Sequence, residues 1–424
     1  MRSVLFIDPP AFCTTLEGLV APALRTRPLA IAPPAVDRAT ILALSAEARL
    51  AGIVPGMPVR KAQRICPDLI VLPPNPKLYA RASRALHEIL RVFAPTIEPK
   101  GYGHAFLDLT GTGRLFGPPQ DVAARIRREA VERLRFPISV GIAVNKLVSQ
   151  AAIRADRRAG GPADGWIEGS CNQLSYVPAG NERKFLAPHP LEVLPELDTD
   201  IRTRLDDYQL ELIGEVAAIP ENALCAVFGR HGRLLRARAR GIDPRPVLSP
   251  EQQSEFRVVH TLASDTNDLG VLHSMLRWMS ERLGSRLRQR ELAAGRLRLE
   301  ATYADYTTVA RAVPLTAAIL DVELWGAARR AFALANTKRL AIRTVALTLD
   351  QLMANETQLD LWGVNSSSSR RPVALQDAVD RIRTRYGAGA LRSTPLTTHY
   401  HGDQVTTTFP KLVLPSSTRC ASAS

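Results

Sequence analysis

The chain has 424 residues, of which 46% are hydrophobic, so its length and composition predict several folded domains and exclude a largely disordered protein. The formal net charge of +14 favours a polyanionic partner, most commonly nucleic acid. Because the sequence has no run of about 20 apolar residues, and Asp8-Pro9-Pro10 interrupts the first apolar segment, we expect no membrane span, no signal peptide and a cytoplasmic location. The five cysteines are far apart and contain no Cys-x-x-Cys pair, which argues against a disulfide framework and a zinc site.

Short strands and helices are predicted in turn along the first 150 residues. The apolar run Val4–Ile7 predicts a buried strand that ends at Asp8, and Ser45–Gly52 predicts a short capped helix that carries Arg49. Apolar residues at helical spacing predict two longer helices, over residues 79–92 and 121–134. Around Gly101 and Gly103 the sequence predicts a tight hairpin over residues 98–111, and a further strand over 138–144 leads into Asn145-Lys146.

The second half of the chain changes character twice. A small helical region is predicted up to about Gly241, and it ends in a dense arginine run: Arg230, Arg233, Arg236, Arg238 and Arg240. The Pro-rich segment Gly241–Val247 predicts a short tether. Beyond it, strand and helix patterns follow in the order β-α-β-β-α-β, which is the split ferredoxin-like arrangement.

Past residue 352 the sequence predicts a tail with one docking peptide and one helix. Gln358-Leu-Asp-Leu-Trp362 lies in a polar stretch without periodicity, where Leu and Trp have nothing nearby to pack against. Because Trp is enriched at interface hot spots, the peptide is predicted to anchor in a partner's pocket; a packed surface strand is the alternative. Residues 375–386 predict an amphipathic helix whose apolar stripe needs a surface, and residues 392–424 are predicted to be disordered or lightly docked.

Several motifs resemble, in order and spacing, those of the Y-family lesion-bypass DNA polymerases. They are Phe6–Phe12, Glu47–Arg49 with Gly52–Pro58, Cys66–Ile70, Ala105–Gly111 and Ser139–Lys146. The likeness covers roughly residues 4 to 390. It implies an α+β multidomain fold with a palm (1–10 and 78–168), fingers (11–77), a helix-hairpin-helix-like thumb (169–240), a linker (241–252), a ferredoxin-like little finger (253–352) and a flexible C-terminal tail (353–424).

The catalytic carboxylates of that family are incomplete here. In the family, an Asp after the first strand and an Asp-Glu pair on the hairpin hold two divalent metals; Asp8 is present, but the pair positions are Gly103 and His104. Two-metal nucleotidyl transfer needs carboxylates that bridge ions about 3.5–4 Å apart. Glycine offers no ligand, and an imidazole binds Mg²⁺ poorly. We therefore expect no metal cofactor, or at most one ion at Asp8, and His104 is predicted to be a solvated hairpin-tip residue.

The nucleotide pocket implied by the resemblance is also altered. Arg49 and Lys146 occupy positions that grip the incoming triphosphate in the family, although ordinary surface charges would explain them equally well. A Tyr and a sugar-facing aromatic of the family are replaced by Ala46 and Cys13. Losses at several positions of one site favour relaxed selection on catalysis.

The resemblance also implies the DNA and protein partners. Thumb and little-finger residues contact DNA phosphates in the family, so the DNA-binding candidates are the arginine run Arg230, Arg233, Arg236, Arg238 and Arg240 together with Arg296, Arg298 and Arg343. The docking peptide resembles the bacterial sliding-clamp-binding motif, with Gln358, Leu359, Leu361 and Trp362 as contacts. A membrane partner is not expected.

Together these features resemble most closely the ImuB-type members of the family. The implied function is a non-catalytic adaptor in damage-induced mutagenesis that brings an error-prone C-family polymerase and a RecA-like accessory protein to the clamp. The alternative is an active lesion-bypass DNA polymerase that uses Mg²⁺ held by Asp8 plus Asp108 or another acid. Asp108 lies four residues beyond His104 and serves structure in the family, which favours the adaptor.

Overall fold

The computed structural model describes residues 2–33, 39–158, 174–197, 199–252, 255–305, 307–355, 366–386 and 390–391. The described residues form two compact units that divide between Pro250 and Glu251, within the predicted linker. Among the described helices, none combines the length and the apolar character needed to cross a membrane.

Unit 1 contains eight strands and twelve α-helices within its described residues. In chain order they are β1 (Val4–Asp8), α1 (Phe12–Val20), β2 (Leu29–Ile31), β3 (Ala43–Leu44), α2 (Ala46–Leu50), α3 (Val59–Ile65), β4 (Ile70–Leu72), α4 (Pro76–Arg91), β5 (Thr96–Pro99), β6 (Ala105–Asp108), α5 (Gly113–Phe116), α6 (Pro119–Leu134), β7 (Ser139–Ala143), α7 (Lys146–Arg158), β8 (Leu174–Tyr176), α8 (Glu182–Leu186), α9 (Thr199–Asp207), α10 (Ile213–Ala218), α11 (Glu221–Phe228) and α12 (Arg230–Ala239).

The central sheet of unit 1 has the strand order β5-β6-β1-β7-β8, with β1 paired antiparallel to both β6 and β7. Its two faces differ because side chains alternate along each strand. Leu5, Ile7 and Leu107 point into a core closed by the apolar faces of α4 and α6. Val4, Phe6 and Asp8 point to the opposite face, which therefore carries the candidate site.

Two smaller assemblies complete unit 1. Strands β3, β2 and β4 form a three-stranded sheet beside α2, which begins where the Ser45 hydroxyl accepts a hydrogen bond from the Ala48 amide, as its N-cap pattern predicts. Helices α8 to α12 pack around a separate apolar core that includes Leu186, Leu205 and Leu235.

The predicted tether Gly241–Val247 is not a free segment. The Asn145 side-chain amide donates to the Gly241 carbonyl at 2.8 Å, and the Leu248 amide donates to Glu98 at 2.8 Å. Val247 is 5% exposed and packs with Val4 and Phe6 on the face that carries Asp8. Its composition predicts a tether, but these apolar and backbone contacts fix the segment to the rest of unit 1.

Unit 2 has the predicted β-α-β-β-α-β order followed by one more helix. The elements are β9 (Glu255–Thr266), α13 (Leu269–Arg288), β10 (Leu292–Tyr303), β11 (Thr308–Ala318), α14 (Asp321–Ala335), β12 (Ile342–Ala354) and α15 (Ser366–Tyr386). The antiparallel sheet has the order β11-β10-β12-β9, so β9 is an edge strand. Helices α13 and α14 cover one face, with Leu276 and Phe332 in the shared core. The other face is polar.

Helix α15 does not pack in the predicted way. The apolar stripe was expected to find a surface, but Leu375 and Tyr386 are 67% and 68% exposed. The helix instead contacts α13 and α14 through its polar side: Arg288 donates to Asp380 at 2.6 Å, and Arg383 donates to Asp321 at 3.1 Å. Charge-assisted hydrogen bonds therefore hold this contact, while Leu375 and Tyr386 of the apolar stripe stay exposed.

Candidate functional site

Two basic side chains surround the carboxylate of Asp8. His104 Nδ1 lies 2.9 Å from Asp8 Oδ1, and Arg157 Nη1 lies 2.9 Å from Asp8 Oδ2. The side chain of Asp8 is 10% exposed, whereas those of His104 and Arg157 are each about one third exposed. His104 was predicted to be a solvated hairpin-tip residue; that prediction is wrong, because the ring contacts Asp8.

The backbone positions these three groups. Ile7 pairs with Ala105, so the next residues outward, Asp8 and His104, end on the same face of adjacent antiparallel strands. Arg157 comes from the last turn of α7, which packs along β1 and β7. Burial opposes the charge of the Asp8 carboxylate, but Arg157 and His104 outweigh burial and hold its pKa well below the ordinary range. Asp8 is therefore a stably charged partner in an internal ion pair.

The backbone at Gly103 excludes a carboxylate side chain. Gly103 has a φ of +74°, in the left-handed region that side chains rarely adopt. A Cβ at this position would lie 2.8 Å from two ring carbons of Phe12. The Gly103 amide donates to the Ser83 hydroxyl at 3.1 Å, which fixes this conformation. The position is therefore shaped for glycine.

These residues do not fit a pair of divalent metals. One carboxylate is available, and both of its oxygens already face basic side chains, which would have to be displaced by a metal. Gly103 offers no ligand and His104 offers a nitrogen, a poor donor for Mg²⁺. No group of three His, Cys, Asp or Glu side chains lies at metal-binding distances within the described part of the chain.

Lys146 is also neutralised by a neighbour. Its ammonium lies 2.8–2.9 Å from both oxygens of Glu98, and Glu98 additionally accepts from the Leu248 amide. A cavity of about 80 Å³ beside Lys146 is lined by Phe106 and Glu196 among others, and by neither Asp8 nor Arg49. The charge of Lys146 is thus already paired with a carboxylate.

Arg49 and Arg154 lie in the same electrostatic environment as Asp8. Desolvation of the guanidinium and the charge of Arg157 lower the pKa of Arg49, while Asp8 acts in the opposite direction. Arg154 donates to the backbone carbonyls of Glu192 and Leu194. Desolvation lowers its pKa, and Asp8 again opposes that shift. Arg154 and Arg157 were missed by sequence reasoning, although their helical spacing after Lys146 places them on α7 near the end of β1.

Glu196 is a second centre of ion pairs, where several cations converge. Its carboxylate lies 3.0 Å from Lys100 Nζ, 2.8 Å from Arg245 Nη1 and 3.3 Å from Arg238 Nη2. These cations come from the β5–β6 hairpin, the segment after α12 and α12 itself. Arg238, predicted to bind DNA, is therefore engaged inside unit 1.

The other arginines of the predicted run differ in exposure. The Arg233 side chain is 79% exposed and lies 2.8 Å from Glu221, while Arg236 donates to the Ile219 carbonyl at 3.0 Å. Arg240 is half-buried just after α12. The side chain of Arg230 lies outside the described residues. Arg233 is therefore the best exposed of the described members.

The pairing at Glu196 predicts an acid-sensitive contribution to stability. Burial raises the pKa of Glu196, but Lys100 and Arg245 outweigh it and lower the pKa to about 2. The folded-state pKa lies below the unfolded value of about 4.3, so the stabilisation is present above about pH 4.3 and is lost as the pH falls toward 2. Because 39% of the side chain is exposed, we expect Glu196→Gln to cost about 1 kcal/mol at pH 7. Urea denaturation at pH 7 and pH 3 checks this, and an equal cost at both values would contradict it.

The predicted little-finger arginines all have carboxylate partners. Arg296 donates to both oxygens of Asp350 at 2.6 and 2.9 Å, and Arg343 pairs with Asp265 at 2.7 Å. Arg298 lies 3.5 Å from Glu255. The residues predicted to bind the clamp, Gln358, Leu359, Leu361 and Trp362, lie outside the described residues.

Two family models match the chain. Residues 7–154 match the impB/mucB/samB family, and residues 256–361 match the C-terminal domain of that family. The DNA polymerase IV of Desulfatibacillum aliphaticivorans is 30% identical over 398 residues, which cover 93% of this chain and 97% of that protein. The DNA polymerase IV of Halorhodospira halophila is 30% identical over 365 residues, with coverage of 85% and 98%.

Solved structures give the same assignment of the fold. A chimera of the Y-family DNA polymerases Dbh and Dpo4 superimposes with a TM-score of 0.65 at 20% sequence identity, over 83% of this chain and all of that chain. DinB from Sulfolobus solfataricus gives a TM-score of 0.56 at 21% identity, with the same coverage. The chain belongs to the Y-family DNA polymerase superfamily, and the predicted architecture is confirmed.

Proposed function

We propose that this protein is a non-catalytic member of its family that binds DNA and acts as an adaptor in translesion synthesis. The main support is the pairing of Asp8, whose carboxylate oxygens lie 2.9 Å from His104 and 2.9 Å from Arg157. A carboxylate that is already engaged by basic side chains is not free to organise metals. The polymerase body then holds DNA without extending it.

The altered nucleotide site supports the same proposal. Lys146 is paired with Glu98, and Gly103 has a backbone conformation that disfavours any acidic side chain. In a working site these positions would hold the triphosphate and a metal ligand, as the resemblance implies. Changes at both the nucleotide contact and the metal-ligand position are easier to explain by loss of the chemistry than by one altered ligand.

Primer extension tests the absence of catalysis. The purified protein, with a primed template, all four dNTPs and Mg²⁺ or Mn²⁺, is expected to give no incorporation above buffer. Loss of metal-based transition-state stabilisation is worth several kcal/mol, or at least about 10³-fold in rate. A matched Y-family polymerase is the positive control. Incorporation that disappears in Asp8→Ala would refute the non-catalytic proposal.

An active lesion-bypass polymerase is the second candidate, because relatives of similar length are named DNA polymerase IV and the chain retains Asp8, Arg49 and Lys146. Catalysis would require His104 and Arg157 to leave Asp8 when DNA and nucleotide bind. Mg²⁺ is then the cofactor. The extension assay separates this candidate from the adaptor.

The proposal also includes the protein partners of the adaptor. Following the ImuB-type resemblance, we propose that the peptide Gln358–Trp362 docks on the bacterial sliding clamp and that an error-prone C-family polymerase and a RecA-like accessory protein join it there. The peptide would bind weakly alone, and DNA contacts on the same chain would raise its effective concentration at the clamp.

Clamp binding has a direct test. In a pulldown with purified clamp, the double substitution Leu361→Ala and Trp362→Ala is expected to abolish retention, because hot-spot side chains carry about 2 kcal/mol or more each. The paired control is Leu375→Ala with Tyr386→Ala on the exposed stripe of α15, which removes similar apolar side chains. Unchanged retention of the peptide variant would rule out the assigned motif.

A further inference from the structure

Three cations from separate parts of unit 1 converge on the Glu196 carboxylate. Lys100 follows β5, Arg238 is on α12, and Arg245 lies in the segment after α12. Because like charges repel at short range, such a set is stable only when an anion lies among its members. We call Lys100, Arg238, Arg245 and Glu196 the Glu196 cluster.

Contacts other than the Glu196 carboxylate hold the three cations in place. Arg245 donates to both oxygens of Asp243 at 2.8 and 2.9 Å, and that carboxylate side chain is 4% exposed. Lys100 also donates to the Gln150 side chain at 3.0 Å. Arg238 donates to the backbone carbonyl of Glu196 at 3.0 Å. The carboxylate can therefore leave while the cations keep their positions.

The described charges around the Glu196 cluster do not balance. Arg154 is a fourth cation of this region, and it donates to the backbone carbonyls of Glu192 and Leu194. It is close enough to Glu196 for the two charges to interact. Four cations thus share two carboxylates, Glu196 and Asp243, which leaves a surplus of two positive charges among these described groups.

The pKa shifts of two cluster members agree with that surplus. Burial lowers the pKa of Lys100 and of Arg238, and neighbouring arginines lower both further; Glu196 opposes these shifts without reversing them. Lys146 and Glu98, which line the adjoining cavity, pair with each other and add no net charge. One carboxylate therefore does not supply all the negative charge that the cluster can use.

Glu196 is strained and accessible to solvent. Its φ of +57° lies in the left-handed region, which persists for a residue other than glycine only where surrounding contacts enforce it. The side chain is 39% exposed. A cavity of about 80 Å³ lies beside it, and Lys100, Gln150 and Arg245 line that cavity too. An oxygen atom of an incoming anion can therefore reach the same cations.

We propose that the Glu196 cluster is a binding site for a phosphate group and that the Glu196 carboxylate is its displaceable internal occupant. The phosphate belongs to a DNA strand or is a free ion. This inference rests on the proposed DNA-binding function and adds that the protein itself closes one phosphate contact when no ligand is bound. A carboxylate presents two oxygens in one plane, whereas a phosphate presents its oxygens in three dimensions. It therefore suits an ammonium and two guanidinium groups that arrive from different directions.

The test compares the unaltered protein with Glu196→Gln at pH 7, well below the melting transition of both. Anisotropy across a salt series gives the affinity for a fluorescent primer–template duplex, and calorimetric titration gives the affinity for inorganic phosphate. We expect Glu196→Gln to bind at least one of the two ligands about fivefold more tightly, because an occupied site lowers the apparent affinity by the fraction of molecules in which it is open. For duplex binding, the slope of log K against log salt should steepen by about 0.9, since one more phosphate releases its counterions. Loss of a merely structural contact would leave the affinity unchanged or lower it.

Two further variants serve as controls. Glu129→Gln removes an acid that lies 3.5 Å from Arg133 on α6, the helix that covers the opposite face of the central sheet, and it should change the affinity by less than about twofold. Lys100→Gln alone should have little effect, because Glu196 still occupies the site. In Lys100→Gln/Glu196→Gln most of the gain should disappear, which links the gain to this cluster.

The outcomes separate the site from the proposed function. Equal gains in Glu196→Gln and Glu129→Gln would show a general charge effect and overturn the site. If the unaltered protein binds the duplex and Glu196→Gln improves the affinity for neither ligand, the site fails while DNA binding stands. A gain for the duplex alone assigns the site to strand phosphates, and a gain for inorganic phosphate alone assigns it to the free ion. If neither protein binds a duplex but Glu196→Gln binds phosphate more tightly, the site stands and the proposed DNA-binding function fails.

Discussion

Asp8→Asn is expected to lower the free energy of unfolding by about 2–3 kcal/mol. Removing one member of a buried ion pair commonly costs about 3–5 kcal/mol, because the partner charge is left without compensation. The partners His104 and Arg157 are each about one third exposed, so water recovers part of that cost. In a working two-metal site without metal, an aspartate stands among other carboxylates that repel it, and the same substitution would stabilise the protein. The sign of the effect therefore distinguishes the two kinds of site.

Calorimetric melting in EDTA checks the sign without relying on any activity. Asp108→Asn on the neighbouring strand is the matched control: Asp108 accepts from the Thr110 amide at 2.9 Å, an interaction that an amide oxygen preserves. We expect a change below about 0.5 kcal/mol there. The folded-state pKa of Asp8 is depressed, so its contribution is present above the unfolded pKa of about 3.9 and is lost as the pH falls below it. A stabilising Asp8→Asn would contradict the proposed ion pair.

Local patterns were enough to predict much of the fold. The period-2 and period-3.6 apolar patterns correspond to β9 through β12 with α13 and α14, because each element buries one face against the common core. The hairpin of β5 and β6 was predicted from Gly101 and Gly103. Both glycines have positive φ in the turn that joins the two strands. These features depend on residues close together in sequence.

The ion pairs could not be predicted, because they join distant parts of the chain. Arg157 reaches Asp8 across 149 positions only after α7 folds back along the sheet. The Glu98 carboxylate accepts hydrogen bonds from Lys146 and from the Leu248 amide, which are both distant from it in sequence. The prediction for α15 was wrong for a related reason. Its apolar stripe predicted apolar packing, but ion pairs with Arg288 of α13 and Asp321 of α14 determine which side of the helix faces inward.

Restoring the two missing acids is expected not to restore polymerisation. In Gly103→Asp/His104→Glu, primer extension with Mg²⁺ should remain at least about 10³-fold below that of a matched Y-family polymerase. The aspartate side chain introduced at position 103 would start from a backbone with a φ of +74° and a Cβ position 2.8 Å from the Phe12 ring. The ring cannot yield freely, since it is buried and packs edge-on against Phe136. Arg157 would still bind the carboxylates that a metal needs.

Two further variants separate these two obstacles. Gly103→Ala should lower the free energy of unfolding by about 2–3 kcal/mol, because it adds the strained conformation and the ring clash without adding charge. Adding Arg157→Ala to the two acids should free the carboxylates for Mn²⁺, detectable by calorimetric titration, yet extension should stay low while the strand at position 103 is displaced. His104→Gln is the control, because it replaces the imidazole without adding a carboxylate. Efficient Mg²⁺-dependent extension by the doubly restored variant would mean that the backbone still accepts the catalytic geometry, and that loss of two side chains alone silenced an otherwise intact site.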